Sequence, residues 1–225
     1  MTLRSARAWH GLTALVAITA LLLQLVLVVQ GGRVLDETTQ PGLGIRLGRL
    51  VSYFTIQSNL LVAVVTTQLA RNPLRDGPAW RVARLSAVVG IFVTGAVHFV
   101  LLRPLLDLSG SDWLADKLLH MLVPVLAVAG WAAFGPRPRI GDREIRLALA
   151  WPLTWLAWTL TIGWLSGWYP YPFLDHREEH GTMGVVLTSL AITAFFLALL
   201  AGARFVDQRA RPQPQTLEPE RPAAR

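Results

Sequence analysis

Polar side chains interrupt a long apolar stretch of this chain in the segment YFTIQSNLLV (53–62). Thr55, Gln57, Ser58 and Asn59 fall within five consecutive positions there. In hydrocarbon, each polar group without a hydrogen-bond partner would cost on the order of a few kcal/mol, so the cluster needs a reason. A threonine hydroxyl becomes a nucleophile when a neighbouring base removes its proton, and this segment is therefore a candidate catalytic site.

Two histidines in other apolar stretches are further candidate site residues. His98 and His120 are ionisable groups inside apolar segments, where such groups are functional candidates by default. Asp116 precedes His120 by four residues, so both lie on one face of a helix. An aspartate so placed can accept a ring N–H and fix the tautomer of the imidazole. The sequence thus predicts Thr55 as nucleophile, His120 as base and Asp116 as its orienting group.

Each of these polar residues also has a structural interpretation. A threonine in a membrane helix usually bonds the carbonyl four residues earlier, and Ser58 and Asn59 are typical of hydrogen bonds between helices. Asp116 lies close enough to the interface to be merely solvated. As oxyanion donors, Asn59 and Gln57 are the nearest candidates. Gln57 is the weaker of the two, because it points about 200° around the helix from Thr55.

The composition is that of a polytopic membrane protein. Of the 225 residues, 53% are hydrophobic and only 16% are charged. Cysteine is absent, which excludes disulfides, thiolate metal sites and cysteine nucleophiles. His176 and His180 are four residues apart, but HREEH lacks the order of a zinc-protease motif. We expect neither a metal nor a cofactor.

Six apolar stretches predict an all-α fold with six transmembrane helices. Of the 21 Arg and Lys residues, 15 fall at the termini and in the even-numbered loops, and 6 fall in the odd-numbered loops. This bias predicts that both termini face the cytoplasm, and topology explains the net charge of +7 better than nucleic-acid binding does. The stretches are 8–30, 50–70, 83–102, 114–134, 145–165 and 184–203.

This topology brings the candidate residues to one depth. Thr55, His98 and His120 each lie a few residues inside the outer boundary, roughly 6–10 Å below the surface at ~1.5 Å per residue. The outer loop GWYPYPFLDHREEHG contains Trp168 and Tyr169, which we expect to lie over the site as part of a lid. Residues 1–203 form the predicted membrane domain. Residues 204–225 are proline-rich and polar, which predicts a disordered basic tail.

The segments YFTIQSN, LLHMLVPVLAVAGWAAFGPR and GWYPYPFLD resemble the bacterial Pr6Pr family of membrane proteins. That family is distantly similar to the eukaryotic androgen-induced and androgen-dependent TFPI-regulating proteins. Those relatives are intramembrane threonine hydrolases that cleave fatty acid esters of hydroxy fatty acids. The resemblance implies that Thr55 and His120 are the catalytic pair and that the substrate is a lipid ester. It implies membrane lipids as the surroundings and partners of the protein.

Other functions stay open from the residues alone. His98 and His120 could supply two axial nitrogens to haem, as in membrane electron carriers. A transporter would usually show inverted repeats or helices broken near the midplane, and neither pattern is clear in the sequence. In a scaffold protein, Thr55→Ala would lower stability and leave function intact.

The bias toward Arg, Ala, Leu and Gly indicates a bacterium of high GC content. We therefore expect the plasma membrane, with the site opening to the outer leaflet.

Overall fold

The computed structural model describes residues 2–31, 41–137 and 139–209, and every regular element in those ranges is helical. This confirms the predicted all-α class for the described part of the chain. The α-helices are α1 (Leu3–Gln30), α2 (Leu43–Ser52), α3 (Phe54–Arg71), α4 (Pro78–Val97), α5 (Gly110–Lys117), α6 (Val123–Phe134), α7 (Asp142–Ser166) and α8 (Gly181–Arg209). Shorter turns cover His98–Leu102, Arg103–Leu105, Leu118–Leu122 and Pro172–Leu174.

Several helices are compatible with a multi-pass membrane protein. Within the described ranges, five are long and apolar enough to cross a membrane: Leu3–Gln30, Pro78–Leu105, Gly110–Phe134, Asp142–Ser166 and Gly181–Arg209. A sixth crossing is obtained if α2 and α3 form one span, although their axes differ by 69°. The last helix continues to Arg209, past the predicted boundary at 203, and the rest of the predicted tail lies outside the described residues.

The continuous helix predicted over 50–70 is broken at Tyr53. The backbone of Tyr53 is extended, with φ −66° and ψ 129°, so α2 ends and α3 begins around this residue. The Tyr53 ring contacts two aromatic residues of the loop between α7 and α8, Trp168 at 5.9 Å and Tyr171 at 5.5 Å between centroids. Because of the break, Thr55 is the second residue of a helix, where backbone N–H groups lack helical partners.

The loop between α7 and α8 forms part of the apolar core. Its residues Pro170, Tyr171 and Leu174 are buried, and Tyr171 and Leu174 belong to a cluster with Phe54 and Phe196. The Phe54 ring also stacks on Trp151 of α7 and lies edge-on to Phe196 of α8. The start of α3 is thus held between the last two long helices and their connecting loop.

Each of the two helices that carry His98 and His120 has a π-helical turn at its histidine, in which backbone hydrogen bonds span five residues instead of four. His98–Leu102 continues α4 as a π-helical turn, and Leu118–Leu122 joins α5 to α6 in the same way. Pro124 contributes to the second of these, because it has no N–H for the His120 carbonyl and its ring crowds that carbonyl. Gly95 faces this point, since an added Cβ there would lie 2.9 Å from the His120 carbonyl oxygen. The glycine allows the two helices to approach closely.

Candidate active site

Thr55, His120 and Asp116 come together as the sequence predicts. Thr55 Oγ1 lies 3.3 Å from Nε2 of His120. The other ring nitrogen, Nδ1, lies 3.0 Å from Oδ1 and 3.1 Å from the backbone oxygen of Asp116. Since both neighbours of Nδ1 are acceptors, the neutral ring carries its proton on Nδ1. The unprotonated Nε2 therefore faces the Thr55 hydroxyl, which is the order of groups in a nucleophile–base–carboxylate triad.

The broken helix gives Thr55 a second useful feature, a backbone N–H at the start of α3 that does not bond to a helical carbonyl. Ile56 and Gln57 donate their N–H groups to the Tyr53 carbonyl, but the N–H of Thr55 has no carbonyl within the helix. It donates instead to the hydroxyl of Tyr171, at 3.3 Å. The start of a helix carries a partial positive charge, so developing negative charge next to Thr55 is favoured there.

Tyr171 is a site residue that the sequence analysis missed. Its hydroxyl lies 3.4 Å from Thr55 Oγ1 as well as close to the Thr55 N–H. The residue is buried, and this burial raises the pKa of the Tyr171 phenol, which stays protonated. One consistent assignment has Tyr171 donating to Thr55 Oγ1 while Thr55 donates to His120. The aromatic and proline-rich composition of the loop was a usable signal, but it did not single out this tyrosine.

Trp168 and Tyr169, which the sequence favoured as lid residues, lie outside the two clefts that reach Thr55. The Trp168 ring lies edge-on to Tyr53 and beneath the guanidinium of Arg49. The Tyr169 hydroxyl contacts Nδ1 of His176 at 3.1 Å. These two aromatic residues hold the loop in place rather than line the site.

Asn59 and Ser58 connect the site to its neighbouring helices. The amide nitrogen of Asn59 donates to the carbonyl oxygens of Thr55 at 2.9 Å and Leu119 at 3.2 Å. The Ser58 hydroxyl contacts the Thr55 carbonyl at 3.1 Å and the Thr94 hydroxyl at 2.8 Å. Because the Asn59 amide is already bound to two carbonyls, the predicted oxyanion role does not suit it. The structural interpretation, hydrogen bonds between helices, describes both residues.

Gln57 points away from the nucleophile, as its position on the helix indicated. Its amide nitrogen donates to the carbonyl of Val51 at 3.1 Å, which bridges the break between α2 and α3. Its amide oxygen accepts the indole N–H of Trp151 at 3.3 Å. Gln57 therefore stabilises the bend and is not an oxyanion donor in this arrangement.

His98 shares the carboxylate of Asp116 with His120. Its Nε2 lies 3.1 Å from the same Oδ1, although the N–H direction is not aligned for a hydrogen bond. The two imidazole rings stack with centroids 3.8 Å apart and planes 11° apart. The second carboxylate oxygen accepts from Lys117 at 2.9 Å. Asp116 is thus neither solvated nor free, because it faces one ammonium and two imidazoles.

The stacked histidines also bear on the ligands that this group could hold. The nearest ligand atoms of His98, Asp116 and His120 lie within 4.8 Å of one another, a spacing that a metal ion can bridge. An imidazole nitrogen binds a metal in the plane of its ring, and two nearly parallel rings cannot share one ion in both planes. A haem would need the two rings on opposite faces of a porphyrin, whereas these rings contact each other directly. The geometry fits a base and its neighbour better than a pair of ligands.

Two clefts meet at Thr55. One is lined by residues that include Gln24, Leu106 and Leu108. The other lies against α7 and α8. The second cleft is almost entirely apolar. The residues common to both clefts are Thr55, His98, Leu102 and Tyr171. A molecule with two apolar arms can therefore place its centre at the hydroxyl of Thr55.

The tautomer of His120 can be measured directly. In protein labelled with ¹⁵N-histidine at about pH 8, where free imidazole is neutral, His120 should be protonated on Nδ1 and not on Nε2. The His120→Gln variant assigns the signals, and exposed His180 serves as an internal reference for a solvated ring. Protonation of His120 on Nε2 would contradict the arrangement, because that nitrogen could not then accept the Thr55 proton.

Comparison of the chain with protein-family models, with curated proteins and with solved structures gives no significant match.

Proposed function

We propose that this chain is a multi-pass membrane hydrolase that cleaves lipid esters, with Thr55 as its nucleophile. The observation that carries the proposal is the contact between Thr55 Oγ1 and the unprotonated Nε2 of His120, whose Nδ1 faces Asp116. Here the hydroxyl, the base and the carboxylate are in the order that general-base activation requires.

The reaction follows from this order of groups. As Thr55 Oγ1 attacks the ester carbonyl carbon, its proton passes to Nε2 of His120, and Asp116 stabilises the imidazolium that forms. Collapse of the tetrahedral intermediate breaks the bond to the alcohol, which takes the proton from His120 and leaves. A water molecule then gives a proton to His120 and attacks the acyl-threonine. This step releases the carboxylic acid and restores the Thr55 hydroxyl.

The oxyanion of the tetrahedral intermediate is stabilised by two donors next to Thr55. They are the Thr55 backbone N–H at the start of α3 and the hydroxyl of Tyr171, which contact each other when no substrate is bound. A substrate carbonyl that enters between them would accept from both. Such donors act strongly in a site from which water is excluded.

The two clefts support an ester with a long apolar chain on each side of its carbonyl. A fatty acid ester of a hydroxy fatty acid has this shape, and it is the substrate class that the resemblance to the Pr6Pr group and its eukaryotic relatives implies. One cleft also contains Gln24 and Asp112, so it accommodates the more polar arm. The other, against α7 and α8, accommodates a plain acyl chain.

The proposed enzyme has six spans, with α2 and α3 together as the second, and both termini in the cytoplasm of a bacterium. The distribution of arginine supports this orientation. The site then opens toward the outer leaflet of the plasma membrane. The helix break at Tyr53 also favours a second candidate, a transporter, since broken helices line many transport sites. A transporter would not form a covalent intermediate on Thr55.

Fluorophosphonate labelling of the purified protein tests the nucleophile. Wild type should react, whereas Thr55→Ala and His120→Gln should lose labelling because they lack the hydroxyl or its base. Thr55→Ser should keep it. The matched control is Thr66→Ala. Thr66 is a buried threonine of the same helix, and its hydroxyl donates to the Val62 carbonyl four residues earlier. Loss of labelling in Thr66→Ala, or its persistence in folded Thr55→Ala, would reject Thr55 as the nucleophile.

Tyr171→Phe tests the oxyanion donor in the same assay. Removing one such donor typically slows acyl transfer by about 10²- to 10³-fold, and we expect labelling to slow by roughly 10-fold or more. The control is Tyr169→Phe, which removes a hydroxyl of the same loop. That hydroxyl contacts His176 and not Thr55, so the labelling rate of this variant should stay within about twofold of the wild-type rate. Equal rates for the two variants would show that Tyr171 has no part in the reaction.

A further inference from the structure

A second group of buried polar atoms lies at the end of the bundle opposite Thr55, where α4 begins. It surrounds a small cavity between α4, the α6–α7 connection and the end of α8. The polar residues that line it are Trp80, Arg81, Arg84, Arg139 and Asp207. The proposed hydrolase does not use any of them.

Arg84 is the central residue of this group. Its side chain is 7% exposed, and its Nη2 is buried without a hydrogen-bond partner. In the part of the chain that the structure describes, no carboxylate forms an ion pair with it. A buried guanidinium without an acceptor destabilises the folded state by several kcal/mol or more, unless a ligand supplies the acceptor.

Two further donors at the same place lack acceptors. The indole N–H of Trp80 and Nε of Arg137 are both buried and unpaired. A Cβ added to Gly135 would lie 2.9 Å from the Trp131 carbonyl oxygen, 3.1 Å from Nη2 of Arg84 and 3.4 Å from Nε of Arg137, so the two guanidinium groups lie close together beside Gly135. Three N–H donors on three different side chains thus require acceptors that the described residues do not supply.

The carboxylates nearby are already bound to other groups. Asp207 Oδ2 accepts the backbone N–H groups of Arg139 at 2.6 Å and Ile140 at 2.8 Å. Asp76 accepts two hydrogen bonds from Arg81, which hold the pKa of this carboxyl well below its usual range, and lies 3.3 Å from Arg139. Arg81 and Arg139 are therefore paired with Asp76, whereas among the described residues no carboxylate forms an ion pair with Arg84 or Arg137.

We propose that this cavity binds a phosphate group, supplied either by a lipid headgroup or by soluble phosphate. Guanidinium groups match phosphate oxygens in geometry, and a phosphate monoester carries about −1.5 to −2 charges at pH 7, which offsets the positive charge of Arg84 and Arg137. Its several oxygens can accept from Arg84 and Trp80, which both line the cavity, and the unpaired Nε of Arg137 lies beside Arg84. The site lies at the end of a candidate span, the depth at which phospholipid headgroups lie.

Thermal unfolding of the full chain in detergent, followed by tryptophan fluorescence, tests this site. Potassium phosphate is titrated against potassium chloride at equal ionic strength, and phosphatidic acid in mixed micelles is titrated against phosphatidylcholine. The variants are Arg84→Gln and Trp80→Phe, which removes the indole N–H without changing charge. The matched control is Arg71→Gln, an exposed arginine at the end of α3.

Wild type and Arg71→Gln should be stabilised saturably. The half-saturating concentration should rise roughly 10-fold or more in Arg84→Gln and about 3-fold or more in Trp80→Phe, as expected for one charged and one neutral hydrogen bond. Stabilisation by the inorganic ion identifies soluble phosphate, and stabilisation by phosphatidic acid alone identifies a lipid headgroup. The proposal is overturned if neither stabilises the protein, or if Arg71→Gln weakens binding as much as Arg84→Gln. If Arg84→Gln does not fold, an unchanged response in Trp80→Phe overturns it.

Discussion

The carboxylate of Asp116 is the constraint on which the arrangement of the site depends. It is buried, and a buried charge costs several kcal/mol unless opposite charges or N–H donors surround it. Lys117 occupies one carboxylate oxygen, while His98 and His120 face the other. The contact with His98 joins the end of α4 to α5 where both helices have a π-helical turn. The same contacts leave Nε2 of His120 free to face α3.

The break at Tyr53 leaves a backbone N–H donor beside the Thr55 hydroxyl, which Asp116 and the two histidines do not provide. In a continuous helix the N–H of Thr55 would bond the carbonyl four residues earlier, and no donor would remain beside the hydroxyl. The bend of 69° frees that N–H, and the loop between α7 and α8 fills the gap with the hydroxyl of Tyr171. The proposed nucleophile, base and oxyanion donors therefore come from three separate parts of the chain.

The sequence predicted the site best where one helix carries two of its members. The four-residue spacing of Asp116 and His120 is visible without any structure, and Thr55 stood out because polar residues are costly in an apolar segment. The break at Tyr53 was missed, because tyrosine is common in helices and the apolar run continues through it. It depends on ring contacts with Trp168 and Tyr171, more than 110 residues later in the chain.

Contacts between residues far apart in the sequence also explain why the roles of the polar residues near Thr55 could not be predicted. Asn59 and Gln57 were the nearest candidates for oxyanion donors because they are close to Thr55 along the helix, but long-range contacts decide what each amide binds. Asn59 donates to the Leu119 carbonyl on the histidine-bearing helix, and Gln57 accepts from Trp151 of α7. Tyr171 was passed over for Trp168 and Tyr169 because no periodicity indicates which aromatic side chain of an irregular loop points inward.

The most direct test of the account is tandem mass spectrometry of the protein quenched in acid while it hydrolyses an excess of a p-nitrophenyl ester of a long-chain fatty acid. If Thr55 is the nucleophile, the spectra will show an acyl group bound at Thr55. They will show none at Thr66, the buried control threonine of the same helix. Release of p-nitrophenol without any acyl group on Thr55, or with the acyl group on a different residue, would contradict it.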